Sequence, residues 1–273
     1  MSVDYGLLTI DLKNMNRIDQ AFTDKKDHLL NVYFTAGYPN LNDTLTIAKN
    51  LQEGGADLIE IGLPFSDPVA DGPTIQESST KALQNGMNLK LLFEQLKDLR
   101  KEVNVPVLLM GYINPVLQYG FEAFCAKCQE VGIDGLILPD LPMYEYEELY
   151  KDVLEKYGLY NVFLITPQTS EERIRKIDEL SKGFIYMVSS ASTTGAKTGI
   201  SANQVAYFER VKAIHLKNKL LIGFGISNHE TFTKACEYAD GAIVGSAFIK
   251  LLADDPSSEN IKQYIQSLKT PQS

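Results

Sequence analysis

The sequence predicts an α/β fold: a (β/α)8 TIM barrel with an extra N-terminal helix. Three observations predict it. Short apolar runs alternate with amphipathic stretches almost from one end of the 273 residues to the other. The apolar runs are continuous, as in parallel strands buried on both faces. About eight strand–helix units of roughly 30 residues each match the ~250 residues such a barrel takes. An open doubly wound sheet is the runner-up. No linker, low-complexity segment or composition shift divides the chain. It therefore reads as one domain, 1–273, with the barrel proper at about 31–252.

The elements follow in order. Residues 7–20 read as an extra helix that caps the barrel bottom. The strand expectations are Asn31–Ala36, Asp57–Gly62, Pro106–Gly111, Gly135–Pro139, Asn161–Thr166, Phe184–Ser189, Leu220–Gly223 and Gly241–Val244. Leu89, Leu92, Phe93, Leu96 and Leu99 hold the spacing of a buried helical face. Tyr146, Leu149, Tyr150 and Leu154 hold it less well. Ser170, ahead of Glu171-Glu172-Arg173, supplies a further helix with an N-cap. Phe121, Phe124, Cys125 and Cys128 share one face of a helical stretch after Gly120. The two cysteines have the spacing of a metal or redox pair, but no second pair accompanies them, and small packing residues are the plainer reading.

Composition narrows the function classes. Hydrophobic residues make up 44% and charged residues 22%, ordinary for a soluble globular chain. The net charge of −9 argues against nucleic acid or an anionic membrane as partner. It leaves room for an anionic small molecule held by backbone N–H groups. No apolar run is long enough to span a bilayer, and the N-terminus lacks a signal-peptide pattern, so the expected location is the cytoplasm. His28, His215 and His229 lie apart from other ligand types, and no metal cluster is visible. No dinucleotide-type glycine turn follows the first strand. No strand ends in Lys, which disfavours Schiff-base chemistry.

In such a barrel the chemistry sits at the C-terminal ends of the strands. Two loops there are longer than a connection needs, Leu63–Pro73 and Ser190–Ser201. The seventh strand runs into Gly223-Phe224-Gly225-Ile226-Ser227 and the eighth into Gly245-Ser246-Ala247-Phe248. Gly and Ser are ordinary helix starts. Together, at the two places where this fold grips phosphate, they point to a phosphate site.

Glu60 lies within the run Leu58-Ile59-Glu60-Ile61. Near a strand end it would project into the barrel mouth, where apolar neighbours raise a carboxyl pKa. That suits a group that both gives and takes a proton near neutrality. The competing reading is a buried Glu paired with a distant Lys or Arg. Asp71 lies in the following loop, and Asp71-Gly72-Pro73 taken alone reads as a turn.

The segment from Glu60 through Phe65-Ser66-Asp67-Pro68 to Asp71-Gly72-Pro73-Thr74-Ile75-Gln76 resembles the signature of the tryptophan synthase alpha chain family. Phe34-Thr35-Ala36-Gly37-Tyr38-Pro39, Met110-Gly111-Tyr112-Ile113-Asn114-Pro115 and Leu138-Pro139-Asp140-Leu141-Pro142 resemble the ends of its first, third and fourth strands. Gly223 to Ser227 and Gly245 to Ala247 resemble its phosphate loops.

The resemblance implies a lyase that splits indole-3-glycerol phosphate into indole and glyceraldehyde 3-phosphate by a retro-aldol step. It implies Glu60 as the acid–base group and Asp71 as the partner of the indole nitrogen. It places substrate binding at Tyr112, Tyr186, Thr194, Gly195, Phe224, Gly225, Gly245 and Ser246. It implies no metal or cofactor in this chain. The expected partner is a beta chain carrying pyridoxal phosphate, in an α2β2 tetramer that it contacts through Pro64 to Pro68. One segment departs from the family pattern: Ser192 stands where Gly is usual and Lys197 near a usual Arg. A stand-alone indole-releasing lyase and a non-catalytic phosphate-binding barrel are the alternatives.

Overall fold

The computed structural model describes residues 15–188, 201–223 and 225–270. Nine parallel strands form one sheet: β1 (Leu29–Thr35), β2 (Leu58–Gly62), β3 (Val107–Met110), β4 (Gly135–Ile137), β5 (Tyr160–Asn161), β6 (Leu164–Ile165), β7 (Phe184–Val188), β8 (Lys219–Gly223) and β9 (Gly241–Val244). Their order is β5-β4-β3-β2-β1-β9-β8-β7-β6. The two ends of that order are neighbours in the chain. Val162 N–H bonds to the Leu136 carbonyl at 2.9 Å on one side, and Tyr186 N–H to the Phe163 carbonyl at 2.9 Å on the other. The expected fifth strand, Asn161–Thr166, is thus present as two short pieces that together close the barrel.

The continuous apolar runs have the expected cause. Outward residues such as Val32, Ile59, Leu109, Leu136, Ile185 and Ile222 join the helix layer in one core cluster. Inward residues Leu29, Leu58, Leu108, Ile137, Val162, Phe184, Leu221 and Ile243 form a second core inside the barrel. Each strand is buried on both faces, so alternation with polar residues disappears.

The inner core is closed below by the helix Arg17–Asp24, which contributes Ile18 and Phe22. Within 7–20 the described helical residues begin at Arg17, because Asn16 caps there: its Oδ1 accepts from Ile18 N–H at 2.9 Å. Residues 15 and 16 are not helical, and 7–14 lie outside the described residues. The Asn16 amide also donates to the Asp134 and Gly158 carbonyls at 2.9 and 3.2 Å. Those bonds seat the helix under β4 and β5.

Two helical patterns are modified. Leu89–Leu96 is one helix, and Leu99 opens a separate short one, Leu99–Glu102, while remaining buried. The imperfect spacing after Pro142 has a physical source. A π-helical turn, Tyr146–Tyr150, interrupts the α-helix, so Tyr146 and Leu154 are buried while Leu149 is 59% exposed. Ser170 caps Glu171–Leu180 as expected, accepting from Arg173 N–H at 3.3 Å. Cys125 and Cys128 are buried free thiols on the inner face of Phe121–Val131. Among the described residues no group of three or more His, Cys, Asp or Glu could hold a metal ion. No helix there is long and apolar enough to cross a membrane.

Candidate active site at the barrel mouth

Alternation along β2 turns Leu58, Glu60 and Gly62 inward and Ile59 and Ile61 outward. Glu60 is fully buried at 0% exposure. Its Oε1 accepts one hydrogen bond, from the Asn31 amide at 2.5 Å. Its Oε2 has no partner in the protein. Burial pushes the carboxyl from 4.5 up to about 8, and the Asn31 bond opposes that rise. Among the described residues no Lys or Arg contributes, and none pairs with Glu60. At neutral pH the group rests mostly as the acid, with a proton on an oxygen the protein leaves free.

Asp71 comes from the loop between β2 and the helix Pro73–Gln84. The Tyr112 hydroxyl donates to its Oδ2 at 3.0 Å and accepts from Ala70 N–H at 2.9 Å. The Gln76 amide donates to the Asp71 and Pro68 carbonyls at 2.8 and 3.2 Å. The loop is pinned from both sides, and the carboxylate is held rather than swinging in solvent. Burial raises the Asp71 pKa, and the Tyr112 bond works against that. Tyr112 stands at the end of β3, 5% exposed, its ring centroid 5.1 Å from that of Phe65.

Tyr186 projects inward from β7 and is 6% exposed. Burial raises its hydroxyl pKa, and the charges of Glu60 and Asp71 raise it further. Both carboxyls thus lie within electrostatic reach of the Tyr186 hydroxyl. Gly223 on β8 has to be glycine, since a Cβ there would strike the Tyr186 hydroxyl. Tyr33, the register partner of Glu60 on β1, completes the wall. Its pKa is raised by burial and then by Asp71, with a smaller contribution from Glu60.

The two glycine turns after β8 and β9 differ from each other. The helix Ser246–Asp254 follows β9 directly, and no side chain caps Gly245. Ile249 N–H bonds back to the Gly245 carbonyl at 3.0 Å. The N–H groups of Ser246, Ala247 and Phe248 have no intrahelical acceptor, which is the geometry an anion uses. The helix after β8, His229–Cys236, is instead closed by its own capping box: Asn228 Oδ1 accepts from Thr231 N–H at 2.9 Å. There the glycine turn is what remains open. Gly225 has φ +81° and nothing within 4 Å of a Cβ position.

The structure hydrogen-bonds Tyr112 to Asp71 and puts Glu60 and Asp71 within electrostatic reach of Tyr186, and it sets Gly225, Gly245 and Ser246 in turns at the same end of the barrel. Thr194, Gly195 and Phe224, with the Ser192 and Lys197 departures, lie outside the described residues. Sequence reasoning missed Asn31 and Tyr33. A signal was present: in Leu29 to Thr35 the polar atoms fall at 31, 33 and 35, every second residue of an otherwise apolar strand.

A family model described as tryptophan synthase alpha chain matches residues 20–272. The tryptophan synthase alpha chain of Flavobacterium johnsoniae is 59% identical over 255 residues, covering 93% of this chain and 100% of the relative. That of Flavobacterium psychrophilum is 60% identical over 254 residues, again covering 93% and 100%. The crystal structure of tryptophan synthase subunit alpha from Legionella pneumophila is 35% identical with a TM-score of 0.84, covering 93% of this chain and 97% of that one. The aminoacrylate-bound tryptophan synthase from M. tuberculosis contains a chain 29% identical with a TM-score of 0.82, covering 93% and 98%.

Proposed function

The chain belongs to the tryptophan synthase alpha chain family, the lyase subunit that cleaves indole-3-glycerol phosphate in tryptophan biosynthesis, and we propose that Glu60 and Asp71 carry that cleavage. The family uses no cofactor in this subunit; pyridoxal phosphate resides in the beta chain. The observation that carries the proposal is the buried Glu60, with one oxygen unpartnered, beside a tyrosine, Tyr186, that a second carboxylate, Asp71, also reaches electrostatically.

The chemistry runs in two proton transfers. Glu60, resting as the acid, gives its proton to the indole ring carbon that bears the glycerol phosphate chain. The ring nitrogen then carries positive charge, which the Asp71 carboxylate stabilises. Glu60, now a carboxylate in an apolar setting, is a strong base. It takes the proton of the adjacent side-chain hydroxyl as the carbon–carbon bond breaks. The bonding electrons return to the ring, indole leaves, the aldehyde forms and Glu60 is again the acid. A pKa of about 8 suits both halves of the cycle. Tyr112 aims Asp71, and its hydrogen bond favours the ionised carboxylate against the opposing effect of burial. Tyr186 and Tyr33 wall the indole. Gly225 and the open helix start at Gly245 and Ser246 hold the phosphate, and the family resemblance adds Phe224, Thr194 and Gly195 to substrate binding.

The same reading assigns a beta chain partner in an α2β2 assembly, and the cytoplasm as its place of work. Past Phe65, Ser66, Asp67 and Val69 are exposed, Val69 at 88%, on the very loop that pins Asp71. A partner seated there would act directly on the carboxylate. An assay of indole release from indole-3-glycerol phosphate, on the isolated chain and then with beta chain, tests the reading. Low release that rises strongly with beta chain supports it. High release unaffected by beta chain would make this a stand-alone lyase, and none in either case a non-catalytic barrel.

A further inference from the structure

The inner face of β1 carries a polar group that the two proton transfers leave unused. Asn31 is 0% exposed inside the barrel, one inward step before Tyr33 on the strand. Its amide nitrogen donates to Glu60 Oε1, and its own Oδ1 has no partner. A half-satisfied buried amide is a burden to a fold. The inner core around it is built of Leu29, Leu58, Leu108 and Leu221, and another apolar side chain would suit that core better. The fold does not call for an amide here; the carboxyl does.

We propose that Asn31 is a positioning residue for Glu60: its amide holds Oε1, fixes the carboxyl orientation and leaves Oε2 as the oxygen that exchanges a proton with substrate. The inference rests on the reading of Glu60 as the acid–base group. A neutral donor suits that task in a way a cation does not. Lys or Arg at this place would hold Glu60 ionised, and it could no longer act as an acid. With no donor, burial alone would make the proton too hard to release. The ionisable groups that Glu60 itself reaches electrostatically are Tyr33 on β1 and Tyr186 on β7, and neither is cationic. Among the described residues Asn31 supplies the one bond that favours the carboxylate.

The test uses the full-length isolated chain with carbon-13 carboxyl-labelled Glu and nitrogen-15-labelled Asn, followed by NMR across pH 5 to 10. The Glu60 signal is the one lost in Glu60→Gln. In the unaltered chain the Asn31 side-chain amide should titrate with the same midpoint as the Glu60 carboxyl, and cease to titrate in Glu60→Gln. Asn31→Ala and Asn31→Leu, one smaller and one larger than the amide, both lack the donor. Both should move the Glu60 midpoint up by about one to two pH units, the ~10–100-fold loss of carboxylate stability that a charge-assisted hydrogen bond accounts for. The alkaline limb of indole release should move with it. A merely packing role would scale with side-chain volume and leave the midpoint in place. An Asn31 amide that ignores the Glu60 titration, or a midpoint unmoved in the folded variants, overturns the proposal while Glu60→Gln stays inactive. Indole release that survives Glu60→Gln sinks the acid–base reading instead, and this inference with it.

Discussion

Glu60→Gln should make the protein more stable at alkaline pH while it removes the proposed chemistry. The Glu60 carboxyl has a folded-state pKa of about 8 against a reference of 4.5. A raised folded-state pKa means that the native state favours the protonated form. Its contribution is complete below about 4.5 and is lost as pH rises through about 8. Each pH unit in that window costs about 1.4 kcal/mol, so the native chain loses roughly 4 kcal/mol from this one group between pH 5 and pH 9. Gln does not titrate, has nearly the same shape and can still accept from Asn31. Its stability relative to the unaltered protein should be near zero at pH 5 and rise to roughly 3–4 kcal/mol at pH 9. Every other titrating group is common to both proteins and cancels in the difference. Urea unfolding of both at pH 5, 6, 7, 8 and 9 reads it directly. Two curves that run parallel across that range would refute the reasoning, because Glu60 would then have an ordinary pKa and no reason to rest as an acid.

Three other outcomes follow from the same geometry. Tyr112→Phe removes the donor to Asp71 and the acceptor for Ala70 N–H; kcat/KM should fall about tenfold or more, and its acid limb should move to higher pH because the Asp71 carboxylate loses a stabilising bond. Gly225→Ala forces a Cβ into φ +81°, a strain of roughly 1–2 kcal/mol; the turn relaxes to relieve it and loses its geometry, so the KM for indole-3-glycerol phosphate should rise by about 5–30-fold. Asp67→Ala alters an exposed residue whose carboxylate accepts from the Ser66 hydroxyl; activation by beta chain should weaken, whereas equal loss of substrate affinity in the isolated chain would place Asp67 in the site itself.

The barrel was legible because its strands are buried on both faces, which writes each as an uninterrupted apolar run. Glu60 was legible for the same reason: a carboxylate inside such a run has no solvated face to turn to. The split of the fifth strand into β5 and β6 leaves no comparable mark, since Val162 and Phe163 are as apolar as the residues that pair regularly. The π turn at Tyr146 to Tyr150 showed only as a blurred helical spacing. The Asn31–Glu60 bond joins residues far apart in sequence and forms only when β1 and β2 line the same cavity. Sequence showed two glycine-rich turns of similar appearance. In the fold Asn228 caps one helix start, while the start at Gly245 is open.

The most direct measurement is single-turnover indole release by Glu60→Gln, paired with the affinity of the same protein for a phosphorylated indole analogue. The account predicts that affinity stays within a few-fold of the unaltered chain, because Gln keeps the shape of the cavity and the phosphate turns are untouched. It predicts that release falls by at least ~10²–10⁴-fold, the loss expected when a positioned acid–base group is removed. A Glu60→Gln chain that binds the analogue normally and releases indole within a few-fold of the unaltered rate would contradict it, and the catalytic proton would have to come from another group.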